Sequence, residues 1–402
     1  MILLSRRHIL QILSAWVIAL CSLMAVGCAD SHEVVEDPGK IEVYNVEFRL
    51  KAGNAVPSRA TEEYGTSEEC YIDLENLKVL IFDENKTLKQ VLYDNGEMDD
   101  VTSLMLTGLG DYVLRTKLDP ADYNLLSKFA VVALANWRSL DGDTKMKSNW
   151  NGIVIDKTQI GILTIDDLAT MTFQLNPVAD VDPQPDSWIP GDGRWIPMFG
   201  SRFTSLAGYN TSLFNEGNPM PIPDVNLVRA ISKIEITNLD VSDNSPVIES
   251  IMLDHRNTVG RLMPDYNFTG ATSNVTSTTI PVLPGATTHD IPFHRQGNLY
   301  TLYLPEMDLP NAASRQAIRV NLNMDGVKYQ RWIYLADYLA DGTPNLTGPY
   351  NSDWDAVKRN YIYRYTLNLN YNLDQSIGVV VTPYNSVVLG PIFGLDDPES
   401  ND

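Results

Sequence analysis

The chain has 402 residues and a formal net charge of −21 at pH 7, an acidic balance that repels phosphate backbones and argues against nucleic acid as a partner. Its three cysteines supply neither a disulfide framework nor a zinc or iron–sulfur ligand set. The length exceeds what one hydrophobic core usually supports, so two domains are expected, and 23 prolines and 19 tyrosines among Val/Ile/Thr runs favour strands over long helices.

Arg6 and Arg7 lead into an apolar stretch from Ile9 to Leu20 that ends at LMAVGC, Leu23 to Cys28. This order reads as a signal peptide over 1–27 with a lipobox, in which the Cys28 thiol accepts diacylglycerol and the exported chain becomes a palmitate-bearing lipoprotein. The stretch is short for a bilayer span, and no other segment approaches the roughly 20 apolar residues a spanning helix needs. Cys21 leaves with the leader, which makes Cys70 a lone thiol of the small, core-filling kind.

An acidic tether precedes IEVYNVEFRLK, where Tyr44, Val46, Phe48 and Leu50 alternate with Asn45, Glu47, Arg49 and Lys51, the pattern of a strand with one buried face. The following AGNAVPSRATEEYGTSEE has no apolar period and is expected to be an exposed loop. Arg59 is the only basic residue between Lys51 and Lys78, so a trypsin-like enzyme has one choice there, the Arg59–Ala60 bond.

NLKVLIFDENKTLKQVLY predicts a hairpin turning at Asp83–Asn85. LDPADYNLLSKF predicts a short helix with Pro120 near its start, FAVVALANW a central strand, and TIDDLATM a second short helix, with Thr164 as N-cap and Asp167 as its partner. Asp180, Asp182, Asp186 and Asp192 lie in a Pro-rich loop; they lack EF-hand spacing and read as turn formers rather than calcium ligands. FNEGNPMPIPD reads as a linker, with the domain boundary placed between 222 and 223. Beyond it ESIMLDHR, TTIPVL, LYTLYLP, AIRVNLNM, VKYQRWIYL and YIYRYTLNLNY suggest an antiparallel sandwich. The tail adds SIGVVVTPY, with Val379 and Val381 on one face, and NSVVLGPIFGL, with Val387, Leu389, Phe393 and Leu395 sharing a face and Pro391 limiting the ladder.

Histidines are few and scattered, and no GxSxG, HExxH or P-loop is present, so neither an enzyme nor a cofactor is expected. Trp137, Trp150, Trp188, Trp195, Trp332 and Trp354 leave open a glycan-binding surface, since exposed indoles stack on sugar rings.

NLKVLIFDENKTL, FAVVALANW, WIPMFG, LVRAISKIEI, YLPEM and KRNYIYRYTLNL, in that order, resemble the Bacteroidales fimbrilin superfamily. The resemblance implies two tandem transthyretin-like β-sandwich domains, over 60–222 and 223–402, preceded by a tether and removable first strand over 28–59. It also implies delivery of the lipoprotein to the outer membrane, cleavage after the first strand by an arginine-specific protease, and filling of the open groove by a C-terminal strand of another subunit, here drawn from about 377–395. The expected function is a structural subunit of a surface fimbrium that supports adhesion to a host or bacterial surface ligand. The alternatives are a tip or anchor subunit, a glycan-binding lipoprotein, and a tail that completes its own domain.

Overall fold

In a computed structural model of the chain, the described residues are 43–52, 66–124, 128–175, 187–239, 246–253, 259–264, 291–308, 317–336, 344, 356–369 and 375–383. The first half supplies β1 (Tyr44–Lys51), β2 (Leu77–Asp83), β3 (Leu88–Asp94), β4 (Glu97–Met98), β5 (Ser103–Gly108), β6 (Asp111–Leu118), β7 (Lys128–Ala135), β8 (Met146–Asn149), β9 (Thr172–Leu175), β10 (Met198–Ser205), β11 (Met220–Pro221), β12 (Val225–Asn226) and β13 (Val228–Arg229). The second half supplies β14 (Ile231–Asn238), β15 (Val247–Leu253), β16 (Val259–Arg261), β17 (Ile291–Pro292), β18 (His294–Gln296), β19 (Leu299–Pro305), β20 (Met307–Asp308), β21 (Ala317–Met324), β22 (Val327–Tyr334), β23 (Ala356–Val357), β24 (Tyr361–Leu369) and β25 (Gln375–Pro383). The fold is an all-β sandwich architecture, as the alternating runs predict.

One core lies between the sheet β11-β1-β6-β5, with β12 also on β1, and the sheet β13-β10-β7-β2-β3-β4. Tyr44, Val46, Phe48 and Leu50 of β1 pack there with Leu77, Val79 and Ile81 of β2 and Val131, Ala133 and Ala135 of β7. A strand of period two buries one face, yet KFAVVALA is apolar throughout. The reason is that its other face is covered too: Ala130, Val132 and Leu134 join Leu80, Phe82, Leu163, Ile165, Leu168 and Phe199 in a second cluster. Ile165 and Leu168 belong to the short helix α1 (Ile165–Leu168). It starts at the expected capping box, with Thr164 Oγ1 accepting from Asp167 N at 3.3 Å and Asp167 Oδ2 accepting from Thr164 N at 2.8 Å.

The hairpin at Asp83 forms as predicted, with Asp83 Oδ1 accepting from Asn85 N and Thr87 N, both at 2.9 Å. The helix predicted over LDPADYNLLSKF does not form among its described residues. Asp119 Oδ1 accepts from Ala121 N at 2.8 Å and Tyr123 N donates to Asp119 O at 2.8 Å, one closed turn. A short polar side chain that bonds its own backbone favours such a turn over a helix.

The second core lies between β18-β19-β14-β24-β25 and β17-β15-β21-β22. Ile234, Ile236, Leu302, Leu304, Tyr363 and Tyr365 meet Ile251, Leu253, Ile318, Val320 and Ile333 there. Ala230 and Ile231 still pack in the first core, and Ile234 is the first residue of the second, so the change of core falls inside β14. TTIPVL lies outside the described residues.

Gly200 on β10 lets the wall beside β1 approach closely: a Cβ there falls 2.6 Å from the Asn226 carbonyl oxygen and 2.9 Å from Val225 Cγ1. Gly200→Ala therefore forces β12 outward, and a loss of about 1–3 kcal/mol is expected, read as a lower urea midpoint at unchanged slope. An unchanged midpoint would show that the wall yields freely.

Candidate functional site: the slot occupied by the first strand

β1 is held from both sides. On one it pairs antiparallel with β6 along its whole length, from Tyr44↔Leu118 to Lys51↔Asp111. On the other it pairs parallel with β11 at Val46↔Met220 and with β12 at Leu50↔Val225. Ile222 N donates to Glu47 O at 2.8 Å, Leu227 N to Lys51 O at 2.7 Å, and Ala52 N to Gly110 O at 2.7 Å. The segment that reads as a linker, FNEGNPMPIPD, thus forms one wall of the slot. Between β11 and β12 the backbone ladder is interrupted, and a side chain takes over: Asp224 Oδ1 accepts from Arg49 N at 3.3 Å and Oδ2 from Lys51 Nζ at 2.5 Å.

The inner face of β1 is sealed, Tyr44, Val46, Phe48 and Leu50 all being buried. At about 1.5–3 kcal/mol per fully buried side chain these four contribute roughly 6–12 kcal/mol before ordering costs. The outer face is charged. Glu47 accepts from Arg115 Nε at 2.6 Å, Arg49 lies 3.8 Å from Asp111, and Lys51 pairs with Asp224. Partly exposed pairs of this kind contribute only about 0–1 kcal/mol each, so the apolar face supplies most of the energy that holds β1.

The exit of β1 is tied to a buried polar cluster. The Ala52 carbonyl accepts from Arg229 Nη2 at 3.1 Å; the same fully buried guanidinium bonds Glu69 O at 3.0 Å, Asn360 Oδ1 at 3.2 Å and the Cys70 thiol at 3.1 Å. The Glu69 carboxylate sits 2.8 Å from Lys233 Nζ and accepts from the Tyr303 hydroxyl, while Lys233 also pairs with Glu235 at 2.6 Å, and Glu235 with Arg364 at 2.6 Å. Burial opposes the ionised form of Glu69, but the Lys233 charge and the bonds from Lys233, Tyr303 and Thr66 N outweigh it and hold the carboxyl below its ordinary range. Burial likewise works against the charge on Lys233, and Glu69 and Glu235 overcome it, raising the ammonium above the ordinary lysine value. Burial, then the Glu69 charge, push the Tyr303 phenol well up. A second clamp lies close by: Arg359 is bidentate to Glu306 at 2.6 and 2.9 Å and donates to Arg261 O and Leu262 O beside β16.

Of the residues singled out in the sequence, Val379 and Val381 fall on β25, the last strand of its sheet, paired with Tyr365 and Tyr363 of β24. Cys28, Arg59, Ala60, Val387, Leu389, Phe393 and Leu395 lie outside the described residues, Arg59 in the segment between Ala52 and Thr66. Asp192 stands at φ 52 in the turn closed by Gly191 and Arg194; Asp180, Asp182 and Asp186 lie outside the described residues, among which no three His, Cys, Asp or Glu cluster as a metal site. Trp188 and Trp137 are core, Trp195 stacks 4.2 Å from Tyr71, Trp150 and Trp332 are each 37% exposed, and Trp354 lies outside the described residues. Sequence reasoning missed Asp224, Arg229, Glu69 and Lys233; a basic residue inside the apolar run LVRAISKIEI was the available signal.

Glu69→Gln removes one of the two carboxylates on Lys233, which keeps Glu235, and weakens the charged acceptor of the Tyr303 hydroxyl, so a cost of about 1–3 kcal/mol is expected at neutral pH. Because the folded-state Glu69 value is depressed, its contribution is present above the ordinary glutamate value of 4.5 and is lost as pH falls through the lower folded value. The gap between wild type and Glu69→Gln in urea midpoint should therefore close in acid; a gap constant from neutral pH down through that range contradicts the ion-pair account.

No protein-family model and no curated protein sequence matches the chain. Among solved structures it is similar to the tip fimbrial protein of Porphyromonas gingivalis with a C-terminal truncation, at 17% identity and a TM-score of 0.48, over 84% of this chain and 99% of that one. It is also similar to a fimbrial assembly protein from Parabacteroides distasonis, at 12% identity and a TM-score of 0.42, over 87% of this chain and 100% of that one.

Proposed function

We propose that the chain is a structural, non-enzymatic subunit of a surface fimbrium, exported as a lipoprotein through Cys28, cut between Arg59 and Ala60, and polymerised by strand insertion. The observation that carries this reading is the position of β1: it is an internal strand of its sheet, it lies at the amino-terminal end of the described chain, and it is followed directly by the segment that holds Arg59. Its covalent tie to the rest of the sandwich runs through that segment alone. A cut there leaves β1 held by hydrogen bonds and burial, and its departure with the lipid anchor opens an apolar slot between two unpaired edges, the template that β-augmentation fills.

The strand this chain donates is proposed to be its own region 377–395, inserted into the slot of a neighbouring subunit with Val387, Leu389, Phe393 and Leu395 as anchors and β25, which carries Val379 and Val381 at the edge of its sheet, delivering them. The partners are other pilin subunits, the outer membrane before processing, an arginine-specific protease and a host or bacterial surface ligand. A glycan-binding reading draws support from the exposed faces of Trp150 and Trp332 and is tested directly on a glycan array.

Two variants test the pilin reading. Cys28→Ala is expected to abolish palmitate labelling and surface delivery; normal labelling would remove the lipoprotein step. Arg59→Ala is expected to accumulate a longer lipidated form and to block filaments while circular dichroism stays unchanged. Filaments built efficiently from that uncut protein would contradict strand exchange.

A further inference from the structure

We propose that the slot left by β1 selects its incoming strand by charge, taking one with basic side chains at the positions of Arg49 and Lys51 and an acid at the position of Glu47, and that this strand comes from a different subunit rather than from the tail of a second copy. The inference rests on the strand-insertion reading above and specifies its partner. Three groups on the fixed walls of the slot face the outer side of β1: Arg115 and Asp111 on the β6 side and Asp224 on the other. All three are paired with β1 itself, and all three lose that partner when β1 leaves.

The two carboxylates matter most. Asp111 has a side chain only 13% exposed, its Oδ1 is buried without a hydrogen-bond partner, and Arg49 is the cation beside it at 3.8 Å. Asp224 stands in the gap of the ladder and holds both the Arg49 backbone N–H and the Lys51 ammonium. An incoming strand without cations leaves both carboxylates, one on either side of it, without a counter-charge, and one with an acid there adds like-charge repulsion. Selection of this kind works by penalising the wrong partner as much as by favouring the right one.

The chain's own tail does not meet the requirement. No Lys or Arg follows Arg364 in the sequence, so in no register and in neither direction can the tail place a cation opposite Asp111 or Asp224. With Val387, Leu389, Pro391 and Phe393 set in place of Tyr44, Val46, Phe48 and Leu50, the outward positions of Glu47, Arg49 and Lys51 are taken by Gly390, Ile392 and Gly394. Shifted by two residues, Asp396 occupies the Lys51 position and meets Asp224. The tail then suits the slot of a different subunit, and this slot suits a different tail, which makes the polymer mixed.

The test uses the full chain nicked after Arg59 by an arginine-specific protease and three fluorescent peptides: residues 43–52, the same peptide with Arg49→Glu and Lys51→Glu, and residues 385–397. Expected is exchange of the 43–52 peptide into the slot, with the reversed peptide about tenfold weaker at low salt, the tail peptide at least as weak as the reversed one, and the charge preference shrinking in high salt. The double variant D111N/D224N should lose the preference while keeping the wall's shape, and D111K/D224K should invert it. Binding of the tail peptide within about twofold of the 43–52 peptide, or indifference to charge reversal, overturns this proposal and leaves strand exchange standing. Retention of residues 43–52 with no peptide entering overturns strand exchange and this proposal together.

Discussion

The central constraint is that a strand inside a sheet must have both of its hydrogen-bonding edges satisfied. β1 meets it by an unusual division: one edge is a continuous antiparallel ladder to β6, and the other is assembled from two two-residue pairings, to β11 and β12, with a carboxylate between them. Buried backbone groups left without partners are costly, so the slot is stable full and unstable empty. The same geometry that completes the sandwich therefore makes a vacant slot a strong acceptor for any strand of matching pattern.

The junction beneath the slot has a different role. Arg229 draws together the Ala52 carbonyl at the end of β1, the Glu69 carbonyl, Cys70, and Asn360 from the turn before β24. Glu69, Lys233 and Glu235 alternate in sign from there into β14, and Arg364 of β24 closes the series. Such a chain of buried charges is poor evidence for stability in itself, because each ion gave up its hydration to enter. Its effect lies in specificity: each member is left uncompensated unless the others keep their places, so the end of β1 and the two cores are held in one arrangement. The Arg359–Glu306 clamp ties down the β16 strand in the same manner, and β16 in turn pairs with β9 of the first half.

Much of this was legible in the residues. The alternation of Tyr44, Val46, Phe48 and Leu50 gives β1 and its buried face, and Thr164 with Asp167 gives α1. What was not legible is non-local. FNEGNPMPIPD has the composition of a linker because Pro221 and Pro223 forbid a regular ladder, yet its partner is β1, and the Arg49–Asp224 contact spans 175 positions of sequence. Periodicity reports which face is buried and carries no information about which strand lies alongside. Among the described residues of LDPADYNLLSKF the expected helix is replaced by a turn for a local reason, the Asp119 side chain bonding nearby backbone in competition with a helical turn. Nothing in the run LVRAISKIEI shows which groups a buried Arg229 would meet; only the convergence of Ala52, Glu69, Cys70 and Asn360 on one point explains a guanidinium in a core.

The magnitudes assign separate tasks to the two faces of the slot. Four buried side chains at about 1.5–3 kcal/mol each dominate affinity, and almost any alternating apolar strand could supply them. Three outer pairs at about 0–1 kcal/mol each are too weak to hold a filament, but a difference of about 1.4 kcal/mol is already a factor of ten between competing strands. An apolar face alone would accept the chain's own edge strands and tail as readily as a partner's. Under the proposed strand exchange, a charged rim that Glu47, Arg49 and Lys51 satisfy while β1 is in place, and that is left exposed when β1 departs, is the physical means by which one sandwich is self-complementary with its own strand and selective for a replacement.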